Sequence, residues 1–134
     1  VVVLDVKYEG LIKKPKIKIL NGKETFDQDL FSFIKKIEEF GAGEIVINCI
    51  DRDGMKNGYD IKLISKIRSN TKSILTLIGG ASGYNDIENL VKSVKHVGSC
   101  AGSLFVFKGK FDAVLINYLN KHDKEKLNNI SFHD

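Results

Sequence analysis

No stretch of this 134-residue chain approaches the roughly 20 consecutive apolar residues that a bilayer crossing needs, so no membrane span is expected. The opening VVVLDVKY has neither a basic leader region nor a small-residue cleavage site, which argues against a secretory signal. A start Met is missing as well, and the sequence is expected to begin inside something longer. Arginine is scarce: of 21 Lys+Arg, only Arg52 and Arg68 are Arg. Base readout leans on Arg, and stacking platforms need aromatics interleaved with cations. Neither pattern is present, so the net charge of +4 reads as a solvated lysine surface with no nucleic-acid partner. Cysteine is limited to Cys49 and Cys100, both inside apolar runs, as expected for buried, reduced thiols of a cytoplasmic protein. With His96, His122 and His133 they are too few and too scattered for a metal site. No metal and no cofactor is expected.

What is present is a 43% hydrophobic chain, enough for one packed domain. Residues 1–6 form an apolar, β-branched run suited to a buried strand. Alternating polarity over 16–20, then Asn21-Gly22, predicts a β-hairpin at about 11–25, because Asn-Gly tolerates the positive φ angles of a type I′ turn. Asp27 is placed to cap a helix carrying Leu30, Phe33, Ile34, Ile37 and Phe40 on one stripe, with Gly41 at its end. The pattern then repeats. Residues 44–50 (EIVINCI) are a strand buried on both faces, followed by a polar loop and a helix capped by Asp60. Residues 73–78 (SILTLI) are another, ending in GGASG before a helix opened by Asp86. Residues 98–102 are a short strand, 111–119 a last amphipathic helix, and 121–134 a polar tail expected to fray. Alternating buried strands and amphipathic helices mean an α/β fold with a parallel sheet and right-handed crossovers.

In such folds ligands bind beyond the carboxyl ends of the strands. Those positions hold Asp5, then Asp51-Arg52-Asp53-Gly54, then Gly79-Gly80, then Gly102-Ser103. Two strand ends deliver carboxylates and two deliver glycines, which let backbone N–H groups approach a phosphate closely. Each has a duller reading: Asp5 as a turn cap, DRDG as an Asx-type turn, Gly79-Gly80 as ordinary turn chemistry, the cysteines as core or pocket wall. Their gathering on one rim favours function.

The segments VVVLDVK, GAGEIVINCIDRDGMKNGYDIKLI, IGGASG and CAGSLFVF resemble the cyclase subunit of imidazole glycerol phosphate synthase, over residues 1 to about 107. They correspond to the carboxyl-terminal half of that family's barrel, and the hairpin falls where the family inserts one after its fifth strand. The stretch GSLFVFKGKFDAVLIN, residues 102–117, resembles a sub-branch associated with sugar amidation in surface-polysaccharide synthesis. The resemblance implies closure of an imidazole ring in histidine biosynthesis. Ammonia would come from a glutaminase partner, and the substrate would carry a phosphate at each end. It implies proton transfer at Asp5, Asp51 beside the pocket, Asp53 orienting its loop, and a phosphate cradle of Gly79, Gly80, Gly102 and Ser103. Asn21 and Asn48 fall at the pocket rim, where the family has hydroxyl residues. The family's second catalytic Asp and second phosphate site lie in an amino-terminal half that these residues do not supply.

A (β/α)8 barrel takes about 250 residues, so the expected architecture is (β/α)4, half of a TIM barrel with a hairpin after its first strand. Residues 1–120 would be this single domain. Four strands with helices on one side leave two edges and an inner face uncovered, at roughly 1.5–3 kcal/mol for each large apolar side chain left in water. Pairing, either as a homodimer that closes eight strands or with an amino-terminal half, is the expected remedy. A non-catalytic phosphate-binding half barrel is the competing functional class.

Overall fold

The computed structural model describes residues 1–108 and 113–132. Strand β1 (Val2–Glu9) turns at Gly10–Lys13 into β2 (Lys14–Ile19), which turns again into β3 (Glu24–Thr25). Helix α1 (Leu30–Glu39) follows, then β4 (Glu44–Cys49), a 3-10 turn (Ile50–Arg52), α2 (Ile61–Arg68), β5 (Ile74–Ile78), α3 (Tyr84–Val94) and β6 (Val97–Cys100). One six-stranded sheet has the order β3-β2-β1-β4-β5-β6. The pairs β1–β4, β4–β5 and β5–β6 are parallel, each joined by one helix, whereas β1–β2 and β2–β3 are antiparallel. This is the expected α/β architecture, consistent with part of a TIM barrel. Among the described residues, no helix is long and apolar enough to cross a membrane.

Strand alternation and parallel register sort the side chains into two faces. Leu4, Val6, Ile45, Ile47, Cys49, Leu75 and Leu77 point to one face and are all buried. Leu30, Ile34 and Ile37 of α1, Leu63, Ile64 and Ile67 of α2, and Ile87, Leu90 and Val94 of α3 cover them in one continuous core. The opposite face carries Val3, Asp5, Val46, Asn48, Ile74, Thr76 and Ile78, with Val3 59% and Ile74 62% exposed. Gly98 of β6 has a local reason to be glycine: a Cβ there would lie 2.2 Å from Thr76 Oγ1. That hydroxyl donates to Glu44 Oε1 at 2.6 Å.

Within the range read as a hairpin, Asn21-Gly22, with φ of +57° and +79°, turns the chain between the antiparallel strands β2 and β3. These strands extend the main sheet, because β1 runs on to Glu9 and pairs directly with β2. Three local expectations change. Asp29, not Asp27, caps α1: its carboxylate accepts the Ser32 N–H at 3.0 Å, as a side chain one position before the first turn can. The fourth helix over 111–119 is absent where the chain is described (111 and 112 lie outside the described residues). Ser103–Val106 form a single turn, α4, and β7 (Phe107–Lys108) pairs antiparallel with β8 (Ala113–Val114). Val114, Leu115, Ile116 and Tyr118 are exposed, so no packed face supports a helix there. The Leu115 and Asn117 N–H groups instead donate to the Val106 and Phe105 carbonyls, both at 2.9 Å. The polar tail, expected to fray, forms α5 (Lys121–Phe132), with Asn120 Oδ1 accepting the Asp123 N–H at 2.9 Å and Leu127 packed on the core.

Candidate functional site

Parallel register brings Asp5 on β1 level with Asn48 on β4, on the open face of the sheet. Asn48 Nδ2 donates to Asp5 Oδ1 at 2.8 Å, which orients the carboxylate. Asn48 Oδ1 is buried without a hydrogen-bond partner among the described residues. On the other side of Asp5 the antiparallel register places Lys18, whose buried ammonium pairs with Glu9 Oε1 at 2.8 Å and donates to Thr25 Oγ1 at 2.8 Å. The sheet therefore holds an acid, an amide and a cation in adjacent positions.

At the ends of β5 and β6 a small pocket gathers Asp53, Gly79, Gly80, Gly102 and Ser103, with Lys56 on its wall beside Cys100, which is exposed at the end of β6 rather than buried as expected. The two glycines are sterically obligatory. Their φ angles are +96° and +105°. A Cβ on Gly79 would stand 2.8 Å from the Cys49 carbonyl oxygen, and one on Gly80 2.1 Å from the Gly58 carbonyl oxygen. What crowds them is the loop after β4, which lies across the end of β5. The Gly58 N–H donates to the Gly80 carbonyl at 2.8 Å, and the buried Tyr59 hydroxyl donates to the Cys100 carbonyl at 2.9 Å. Burial, foremost, raises the Tyr59 phenol to about 12, so it acts as a neutral donor.

Asp51 does not join Asp5. It lies in a groove of about 760 Å³ on the helix side, between the β1–β2 turn and the start of α2, where its Oδ2 accepts the Tyr8 N–H at 2.8 Å. Asp53 instead reaches the glycine pocket, its N–H donating to the Cys49 carbonyl at 3.1 Å. Asn21 is exposed on the β2–β3 turn and is not drawn into either group; its neighbour Gly22 approaches Ile50.

Three residues outside the sequence-based set organise this end of the sheet: Tyr8, Arg52 and Asp60. Asp60 is the helix cap the sequence suggested, with Oδ1 accepting the Leu63 N–H at 3.0 Å. Its Oδ2 also accepts the Tyr8 hydroxyl at 3.0 Å and lies 3.7 Å from Arg52 Nε. Desolvation first, then the hydrogen bond from Tyr8 to Asp60, push the Tyr8 phenol to about 12. Burial likewise raises the Cys49 thiol to about 12, with Asp60 adding to it, so this cysteine is an inert wall rather than a nucleophile. Two signals in the sequence could have singled out Arg52: the scarcity of arginine and its place in DRDG at a strand end.

A family model described as histidine biosynthesis protein matches residues 1–112. A putative imidazole glycerol phosphate synthase subunit of Vibrio vulnificus is 48% identical over 126 residues, covering 94% of this chain and 48% of that protein. One from Leptospira borgpetersenii is 45% identical over 127 residues, covering 95% and 50%. An imidazole glycerol phosphate synthase subunit of Pseudoalteromonas translucida is 41% identical over 73 residues, covering 54% and 28%. The chain spans about half the length of the curated relatives it matches. With its parallel sheet, its glycine-lined strand ends and a family match over most of its length, this chain belongs to the histidine biosynthesis protein family.

Proposed function

We propose that this chain is the carboxyl-terminal half of a cyclase barrel of the imidazole glycerol phosphate synthase type. The observation that carries the reading is the Asp5–Asn48 pair, 2.8 Å apart on the open face, beside the glycine pocket at the same end of the sheet. Asp5 would take and return protons as ammonia adds and the imidazole ring closes, held in one orientation by the Asn48 amide. The backbone N–H groups around Gly79, Gly80, Gly102 and Ser103 would receive one phosphate of a bis-phosphorylated ribonucleotide. A glutaminase would supply the ammonia once a whole barrel is assembled. The other wall of the barrel, with a second acid and a second phosphate site, would come from an amino-terminal half or a second copy of this chain. Val3 and Ile74, exposed on the open face, support such pairing.

Ammonia-dependent formation of the imidazole product, after mixing this chain with an amino-terminal half, tests the chemistry. Asp5→Asn should abolish turnover and leave phosphate binding intact; a variant that still turns over would overturn the role of Asp5. Light scattering tests the pairing, and a stable monomer would sink the homodimer.

A second reading rests on residues 102–117, GSLFVFKGKFDAVLIN, with their resemblance to the amidation-associated sub-branch. On that reading the chain would serve a glutamine-dependent sugar amidation system, with the same half barrel and a different substrate.

A further inference from the structure

The proposed chemistry does not use the chain Tyr8–Asp60–Arg52 behind the glycine pocket, in which Asp60 is buried and Tyr8 and Arg52 are half-buried. Arg52 sits in the 3-10 turn that ends β4, one residue from Asp53 at the pocket wall. Its Nη1 donates to the Gly58 carbonyl at 2.9 Å and, more weakly, to the Asn57 carbonyl at 3.4 Å. Its Nε faces Asp60 Oδ2 at 3.7 Å, and Asp60 is itself immobilised by the Leu63 N–H and the Tyr8 hydroxyl. The peptide gripped by Arg52 continues into the pocket, because the Gly58 N–H donates to the Gly80 carbonyl at 2.8 Å.

We propose that Arg52, anchored by Asp60, is the positioning residue of the phosphate cradle, acting through Gly58 on Gly80. The inference rests on the cradle reading of Gly79, Gly80, Gly102 and Ser103. Two successive glycines at φ near +100° have little intrinsic reason to keep one orientation, since glycine samples both signs of φ freely. A cradle made of their N–H groups is useful only if something holds the peptide planes. In a trans peptide the C=O and the following N–H point in opposite directions. Holding the Gly80 carbonyl against Gly58 therefore turns the Ala81 N–H away from the loop, and Ala81 lines the pocket. The Arg52 fork suits this task, because one rigid group meets two carbonyls and a carboxylate together, which an ammonium does poorly.

Arg68 provides an internal control. It grips the carbonyls of Thr71 (3.0 Å) and Ser73 in the same manner, in the turn before β5 at the opposite end of that strand. The experiment titrates inorganic phosphate into the full chain and follows the amide resonances of residues 79–81 and 102–103. Arg52→Lys keeps the charge and should weaken phosphate binding about tenfold, the scale on which losing an outer support weakens a site. It should also speed hydrogen exchange at the Gly58 amide. Arg68→Lys should leave phosphate affinity unchanged. Asp60→Asn retains a helix cap but removes the carboxylate opposite Arg52, and it should weaken binding in the same direction. Unchanged affinity in both Arg52→Lys and Asp60→Asn would overturn the positioning role, as would an equal loss in Arg68→Lys. Absence of any phosphate shift in the unaltered chain would instead overturn the cradle reading itself.

Discussion

The two faces of the sheet are built from alternate residues of the same strands, and they have met different fates. On the helix side Leu75 and Leu77 are fully buried under α2 and α3. One residue away, Ile74 is 62% exposed, and Val3 on β1 is in a similar position. The closed face concentrates the aliphatic side chains whose removal from water stabilises the fold. The open face concentrates what can do chemistry: Asp5, Asn48, the Glu44–Thr76 pair and the Lys18–Glu9 pair. The sheet is thus packed on one face and open on the other.

The sharpest break of this contrast is a pair of neighbouring truncations. Leu75→Ala should cost about 3–5 kcal/mol in urea denaturation, as for a fully packed leucine. Ile74→Ala should stay within about 0.5 kcal/mol in the isolated chain. Once an amino-terminal half is added, Ile74→Ala should become costly; no change on mixing would mean that the open face stays open. At the rim where the faces meet, Gly80→Ala should lose roughly 2–3 kcal/mol, since the new Cβ meets the Gly58 oxygen and the backbone lies at positive φ. A thermal melt decides it.

Alkaline titration probes how tightly the closed side is sealed. Tyr8, Tyr59 and Cys49 all have their acid forms favoured by burial, each with a folded value near 12. For an acid raised on folding, the stabilisation is complete below the ordinary value and fades as pH climbs through the raised one. The ordinary values are 9.0 for Cys49 and 10.0 for the tyrosines, so circular dichroism should show stability falling between pH 9 and 12. Tyrosinate absorbance from Tyr8 and Tyr59 should rise together with unfolding. Early ionisation of both would mean that this side is wetter than its packing suggests. The smallest effect concerns α1: Asp29→Ala should cost about 1 kcal/mol through its lost cap, and Asp27→Ala almost nothing, by chemical denaturation.

Much of this was legible in order of residues. The apolar runs at 44–49 and 74–78 mark two strands, although the second, expected to be covered on both sides, leaves Ile74 exposed on the open face, and the 3.6-residue stripes of α1, α2 and α3 permit one buried face each. Asp60 as a cap and the glycines at the end of β5 followed from local stereochemistry. The misplacement of the α1 cap by two residues arose because Asp27 and Asp29 both precede the same stripe, and only backbone geometry separates them. The failure at 113–119 has a different source. An apolar segment holds a helix when a stripe of it is buried, and here Val114, Leu115 and Ile116 stay exposed while Leu119 alone packs on the core.

Local pattern, then, is enough to specify strands, helices and which strand ends carry acids or glycines, because periodicity and φ preference act within a few residues. Only the fold decided that Asp51 turns to the helix-side groove while Asp5 meets Asn48, since 43 residues separate each contact and strand register alone brings them together. It also decided that Arg52, one of two arginines among 21 cations, reaches the glycines through Gly58. Contacts of that kind depend on which loop crosses which strand end, and no spacing along the chain encodes them.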